Sequence, residues 1–272
     1  MERLRRNLKG VYIIWYRDVL RFLRDRPRIV ASLGQPLLFL FVFGGGLSPA
    51  MSSLGGGYMD FKVFMFPGIL GMTVLFTSVF SAVSIVWDRE FGFLKEVLVA
   101  PVSRTAVALG KVAGGSTVAM FQGAVILLLA PLIGVRLAAG QVFALLGLML
   151  LLAAGLSSFG ILIASRMRTM QGFQMIMQFL LMPMFFLSGA FFPLRNLPVW
   201  MDVLTKIDPL TYGVDPLRQV ALSETVKGIP EAFRDAMLQQ IRVHPIGTDI
   251  LIMSAFWLAM IVPAIWAFNK QD

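Results

Sequence analysis

The sequence predicts an all-α integral membrane protein with six transmembrane helices, and three observations predict it. Apolar residues make up 57% of the 272 and charged residues only 14%, where a soluble domain carries about 25% charge. Six apolar stretches contain no Lys, Arg, Asp or Glu, and each approaches the ~20 residues that cross the hydrocarbon at about 1.5 Å per residue. The charges collect at the ends of those stretches, as expected where lipid offers no partner for a polar group.

The spans fall at about 29–47, 63–86, 112–135, 139–164, 170–192 and 250–268. Gly34 and Pro36 lie in the first, Pro131 in the third, Pro183 in the fifth and Pro263 in the sixth, which transmembrane helices tolerate. The run Gly44-Gly45-Gly46 is expected to end or loosen the first span. Nine basic residues precede the first span, and Arg89, Lys95, Arg104 and Lys111 follow the second. Arg166 and Arg168 follow the fourth, while the other side shows only Lys62 and Arg136 in its short loops. The positive-inside rule then makes both termini cytoplasmic and the segment 193–249 external. A removable leader is not expected, because the basic segment runs to Arg28 before any apolar run begins.

Residues 1–27 read as an amphipathic interface helix. Leu4, Leu8, Val11, Tyr12, Trp15, Val19, Phe22 and Leu23 recur at helical spacing among Arg5, Arg6, Lys9, Arg17, Arg21 and Arg24. Pro27 is expected to end that helix. A simple membrane anchor and a contact for a partner subunit both fit it. Between the second and third spans, Phe91, Leu94, Val97 and Leu98 form one face of a short helix that Pro101 stops. An ordinary interfacial loop helix and a lever docking into a soluble partner both fit that pattern.

Several functions are disfavoured. The net charge of +9 suits anionic lipid better than nucleic acid, because the charges form no patch of their own. There is no cysteine, and the single histidine, His244, builds no multi-histidine metal site; no metal ligand set is expected. No Gly-x4-Gly-Lys-[Ser/Thr] phosphate loop is present, so no ATPase activity and no cofactor are expected of this chain. Spans without charges disfavour an ion-coupled carrier, and the lack of a carboxylate pair within a span disfavours an intramembrane enzyme. Hydroxyl and amide residues within the spans suit helix packing. Gln35, Thr73, Gln174 and Gln178 are candidates for lining a pathway, with Phe39, Phe179 and Met182 as its apolar wall. Met and Phe crowd the fifth span, and flexible Met beside aromatic rings can repack around varied apolar cargo.

The run Asp88-Arg89-Glu90-Phe91-Gly92-Phe93-Leu94-Lys95-Glu96-Val97-Leu98-Val99-Ala100-Pro101-Val102-Ser103-Arg104 resembles the hallmark segment of type-2 ATP-binding-cassette (ABC) permeases, in particular the daunorubicin-resistance branch. Phe192-Pro193-Leu194, Leu197-Pro198-Val199-Trp200, Asp208-Pro209-Leu210-Thr211-Tyr212 and Asp215-Pro216-Leu217-Arg218 follow the same family's order. The resemblance implies one exporter transmembrane domain over 1–272, with segment 88–104 as a cytoplasmic coupling helix. Two nucleotide-binding ABC ATPase subunits would be touched by Asp88, Arg89, Glu90, Phe91, Phe93, Leu94, Glu96, Arg5 and Arg17, and those subunits would use ATP and Mg. A second permease copy, as a homodimer, would share the pathway. External re-entrant short helices between the fifth and sixth spans would cap its mouth, with Pro193, Pro198, Pro209 and Pro216 each interrupting a helix. The cargo would be hydrophobic or amphiphilic (drugs, lipids or glycolipids) and the location a bacterial cytoplasmic (inner) membrane. A polysaccharide or lipid-linked glycan exporter is the alternative. Residues 224–249 match no part of the pattern and read as an external amphipathic segment.

Overall fold

The computed structural model describes residues 2–47, 60–91, 103–228 and 230–269, and among them there is no strand. Helix α1, Glu2–Arg24, lies outside the spans. The first span is α2, Arg26–Leu38, continued by a π-helical turn at Phe39–Phe43 and a last α-helical turn at Gly44–Gly46. Pro27 sits in the first turn of α2, where its missing N–H costs nothing. The glycine run stays helical, and the chain bends at Leu47.

The second span is α3, Phe61–Ser81, followed by α4, Val83–Glu90. The Ser81 hydroxyl donates to the Ser78 carbonyl at 2.6 Å and Ser84 to the Ser81 carbonyl at 3.1 Å. Side-chain bonds of this kind compete with the backbone ladder and bend helices, which accounts for the break at Ala82. The third span is α5, Arg104–Leu128, capped by the Ser103 hydroxyl on the Ala106 N–H. It starts about two turns earlier than apolarity alone placed it, so Lys111 lies inside the helix. A short helix, α6, Ala130–Ile133, ends on Gly134 in the left-handed region at φ 90°. The Val135 N–H reaches the Ala130 carbonyl and the Gly134 N–H the Pro131 carbonyl, a Schellman closure that favours glycine.

The fourth span, α7, Ala139–Ala164, matches its expected bounds. The fifth, α8, is Met170–Leu187, capped by Thr169 on the Gly172 N–H. It stops short of residue 192 because Gly189 turns left-handed at φ 77°. The sixth is α12, Ile246–Asn269. Among the described residues, six helices qualify as membrane spans by length and composition.

Between the fifth and sixth spans run α9, Val199–Ile207, α10, Pro209–Lys227, and α11, Glu231–Ile241. Pro198 precedes α9 and Pro209 opens α10, as helix-boundary prolines do. Pro216 differs from expectation. It lies inside a continuous α10, whose 19 residues form one helix rather than two short pieces. Most of α10 is buried, Leu210 through Arg218 without interruption, against α3, α7 and α12. Gln141 at the head of α7 donates to the Val220 carbonyl at 2.8 Å and the Ser223 hydroxyl at 2.7 Å. Of residues 224–249, which no motif explained, those described form the last turn of α10, α11, the turn after it and the first turn of α12.

Close helix contact depends on small residues. A Cβ on Gly160 of α7 would lie 2.8 Å from the Val79 carbonyl oxygen of α3, a backbone atom, whereas Gly147 on the same helix faces open space. Gly160→Leu is expected to cost about 1–3 kcal/mol by overpacking and to lower the melting temperature in detergent. Gly147→Ala is expected to be neutral or mildly stabilising, the helix-propensity gain being up to about 1 kcal/mol. Equal melting of the two variants would contradict this packing.

Asp208 supplies a pH test. It caps α10 by accepting from the Leu210 N–H at 2.9 Å, while its Oδ2 is buried without a partner. Burial raises its carboxyl to about 7, against the smaller downward pull of the Leu210 N–H; Lys206 and Tyr212 are the neighbouring titratable groups. The folded state therefore binds this proton more tightly than the unfolded state. Stability from Asp208 is full below its ordinary value of 3.8 and is lost as pH rises towards 7. Asp208→Asn keeps the cap and removes the titration. It is expected to flatten this slope and raise the melting temperature at pH 8 by about 2–4 °C, the shift for ~1 kcal/mol at this size.

Candidate functional site

Two features sit together at the end of the bundle where α1 lies. The first is a buried ion network. Lys111 of α5 is 4% exposed. Its Nζ lies 3.1 Å from both Asp18 carboxylate oxygens, 2.8 Å from the Ser84 hydroxyl and 3.8 Å from Asp88 Oδ2. Arg17 reaches Asp88 at 3.3 Å and Asp18 at 3.6 Å. A buried cation without partners is strongly destabilising. Here one lysine fastens α1, the end of the second span and the start of the third.

Local sequence makes that approach possible. A Cβ on Gly110 would lie 2.9 Å from the Ile14 side chain and 3.0 Å from the Val11 carbonyl, and one on Gly114 would lie 3.1 Å from Asp18. Gly110 and Gly114 form one small-residue stripe, a turn apart, that admits α1. The Trp15 indole N–H donates to Thr117 at 2.9 Å, and Phe22 is buried. Leu4, Leu8, Tyr12 and Leu23 remain exposed. The apolar residues of α1 thus divide into a protein-facing set and an outward set suited to the headgroup boundary.

The acidic and basic residues at the end of the second span are also engaged within the chain. Arg89 donates to the Met167 carbonyl at 2.6 Å, and Glu90 accepts from the Met170 N–H at 2.8 Å. Asp88, Arg89 and Glu90 therefore bind the third span, the turn before the fifth, and the fifth itself. Phe91 is 58% exposed, with its ring 4.8 Å from Trp87, and Arg5 is exposed. Phe93, Leu94 and Glu96 lie in 92–102, outside the described residues.

The second feature is a cavity of about 630 Å³ between α1 and the first, second, third and fifth spans. The Ala82 break opens its wall at Ser81 and Ser84. Met72, Phe76, Phe80 and Trp87 give it an apolar side, while Asp18, Arg21 and Asp25 border it. Arg21 lies over the Trp87 ring at 5.8 Å. Three pathway candidates line it: Gln35, Thr73 and Gln174. Thr73 is buried and its hydroxyl donates to the Ile69 carbonyl at 2.8 Å. Phe39 stands outside the lining, in an aromatic cluster with Phe43, Phe185 and Phe191. Gln178, Phe179 and Met182 also stand outside it on α8, with Phe179 79% exposed.

Sequence reasoning missed Gln122 as a centre. Its amide accepts from the Thr77 hydroxyl and donates to Ser32, joining the third, second and first spans at the cavity wall. A lone glutamine amid apolar residues carries no periodic signal, and only the fold brings these three together. Sequence reasoning also missed Asp18, which it did not single out, and Lys111, which it counted among the loop charges after the second span.

Comparison with known proteins accords with this architecture. Residues 9–222 match the ABC-2 type transporter family. The putative transport permease ycf38 of Cyanophora paradoxa is 32% identical over 202 residues, covering 72% of this chain and 69% of that one. A probable multidrug ABC transporter permease of Escherichia coli K12, YbhR, is 29% identical over 167 residues, 61% of this chain and 45% of its own. Nodulation protein J of Rhizobium leguminosarum bv. trifolii is 25% identical over 217 residues, 79% of each chain. With a family match across most of its length and six membrane-spanning helices, the chain belongs to the ABC-2 type transporter family and is a multi-pass membrane permease.

Proposed function

We propose that the chain is the membrane subunit of an ATP-driven exporter of hydrophobic or amphiphilic molecules, paired with a second copy and driven by two separate nucleotide-binding ABC ATPase subunits. One observation carries this reading. The cavity shares residues, Asp18 and Ser84, with the ion network that fastens α1 to the second and third spans. A pull on segment 92–102 reaches the third span through Asp88 and Lys111, and the fifth through Arg89 and Glu90. Those are the helices that wall the cavity.

The lining supports the cargo class. Methionine and phenylalanine on one side offer an adaptable apolar surface. Gln35, Gln174 and the charged border suit a polar headgroup. Gln178, Phe179 and Met182, on the outward face of α8, are assigned to the part of the pathway completed by the second copy. Phe91, Arg5 and the segment holding Phe93, Leu94 and Glu96 are assigned to the ATPase contact. Asp88, Arg89, Glu90 and Arg17 act mainly as transmitters of its motion. Both termini are then on the ATPase side, in the bacterial cytoplasmic membrane.

The test is reconstitution with a phosphate-loop ABC ATPase that co-purifies with the chain, following ATP-dependent movement of a fluorescent amphiphile. Arg89→Ala with Glu90→Gln is expected to leave ATPase bound and active while transport falls about tenfold, a coupling loss near 1.4 kcal/mol. Retained transport at the original rate would remove the transmitter role. Gln174→Trp, which fills the cavity from an exposed wall, is expected to depress transport of bulky cargo more than small cargo and to spare basal ATPase. Uniform transport of every cargo would exclude this cavity from the pathway.

A further inference from the structure

At the opposite end of the bundle the fold brings together three ligating side chains from separate places in the sequence. Asp215 lies in α10, His244 in the turn after α11 and Asp249 in the first turn of α12. One ligand atom from each lies within 4.8 Å of the other two. Asp215 is 1% and Asp249 0% exposed. His244 Nδ1 is 3.5 Å from Asp249 Oδ1 and 3.9 Å from Asp215 Oδ2.

The polar accounting of this cluster is incomplete. Both oxygens of Asp249 are buried, receive no N–H or hydroxyl donor and face the Asp215 carboxyl group, and His244 Nδ1 is likewise buried without a partner. The Nδ1 separations exceed a normal hydrogen bond of about 2.7–3.2 Å. Two buried carboxylates facing an imidazole nitrogen are unfavourable unless a cation or a shared proton stands among them. Arg218 and Arg242 act on Asp215 and Asp249, respectively, through longer-range attraction, but neither makes an ion pair or hydrogen bond with them. Arg218 gives its Nη2 to the Gly189 carbonyl at 2.5 Å and lies 4.4 Å over the Phe64 ring. Arg242, also nearby, is exposed.

The surroundings hold the three groups in place. Asp215 accepts from the Val243 and His244 N–H groups at 3.2 and 2.7 Å, leaving lone pairs free. The His244 ring stacks on Tyr212 at 5.2 Å, and the Tyr212 hydroxyl is fixed on the Lys206 carbonyl at 2.8 Å. Gln219 holds the His244 carbonyl at 2.8 Å. Outer contacts of this kind orient metal ligands. A tetrahedral ion with bonds of about 2.0–2.1 Å separates its ligand atoms by roughly 3.3 Å, close to the 3.5 Å between His244 and Asp249 and shorter than the 3.9 Å to Asp215, which would draw in on binding.

We propose that Asp215, His244 Nδ1 and Asp249 bind one divalent transition-metal cation of the Zn2+ class, clamping the turn before the sixth span onto α10. Imidazole with two carboxylates suits such an ion better than Ca2+ or Mg2+, which favour all-oxygen sites. The site is independent of the transport reading, since binding is measured on the purified chain alone.

The experiment uses the full chain in nanodiscs, free of any histidine tag and stripped with EDTA. Zn2+ is titrated from a buffered stock, Co2+ serves as the optical probe, and melting is followed with and without Zn2+. About one Zn2+ per chain is expected, with a raised melting temperature and a Co2+ d–d band of a nitrogen–oxygen site. Asp249→Asn and His244→Gln are expected to weaken binding by at least tenfold, the lower bound for losing even an outer partner, while the exposed Asp202→Asn is neutral. Binding unchanged by Asp249→Asn and His244→Gln would mean an adventitious ion only and overturn the proposal. So would a wild-type chain that takes up no Zn2+ and gives no Co2+ band, a reading that needs no variant to fold; a proton would then hold the cluster.

Discussion

The buried ammonium of Lys111 is the constraint on which the lower half of this permease depends. An ammonium at 4% exposure is tolerable only if carboxylates meet it. Asp18 and Asp88 come from different elements, so satisfying the charge fixes two helices at once. The position of α1 follows, and Gly110 and Gly114 then have to be small. The second span must end where Asp88 faces inward, and the Ala82 break, set by serine back-bonding, turns it there. The cavity is what remains between helices fixed in this way.

A polar latch suits a moving part better than an apolar one. Apolar contacts are non-directional and slide with little change in energy. An ion network has a small number of satisfied geometries, so displacement of one member moves the others or breaks the set. Arg17 shows how the network is graded. Its side chain is 45% exposed while that of Lys111 is 4%, so the rim pair is screened by solvent and the inner pair is not. The rim pair can yield while the core pair holds.

The helices themselves were legible in the sequence because lipid imposes one rule on every span. Ala139–Ala164 emerged with its bounds intact. Errors arose where a helix continues past the apolar zone. Apolarity alone began the third span at about residue 112, yet the helix begins at Arg104. That offset is why Lys111 read as a loop charge rather than a buried one. The fifth span ran too far because Ser188-Gly189 within an apolar run gives little warning of a left-handed turn. The cavity was legible in part. Gln35, Thr73 and Gln174 stood out as polar residues in apolar helices, but Gln122 needed its partners on two other spans to acquire meaning. Pro216 misled for a related reason. A proline interrupts an isolated helix, whereas buried neighbours on all sides hold α10 together through it.

The segment between the fifth and sixth spans illustrates what charge content conceals. Six basic and seven acidic residues over 193–249 suggest a wet loop, yet Asp208, Asp215, Arg218 and Asp249 are all nearly or fully buried. Burying that many ionisable groups is costly unless each is answered. Arg218 is answered by the Gly189 carbonyl and the Phe64 ring, and Asp215 by the Val243 and His244 backbone. Asp208 is half-answered by the cap it makes, and burial holds its proton to about pH 7. Asp249 receives no N–H or hydroxyl donor among the described residues and faces the Asp215 carboxyl group. The two ends of the bundle thus use one device, buried charge that ties a peripheral helix to the spans. At the α1 end a lysine supplies the positive member. At the other end the cluster of Asp215, His244 and Asp249 holds no fixed positive charge of its own, and among the described residues Asp249 is the buried acid that receives no N–H or O–H donor on either oxygen.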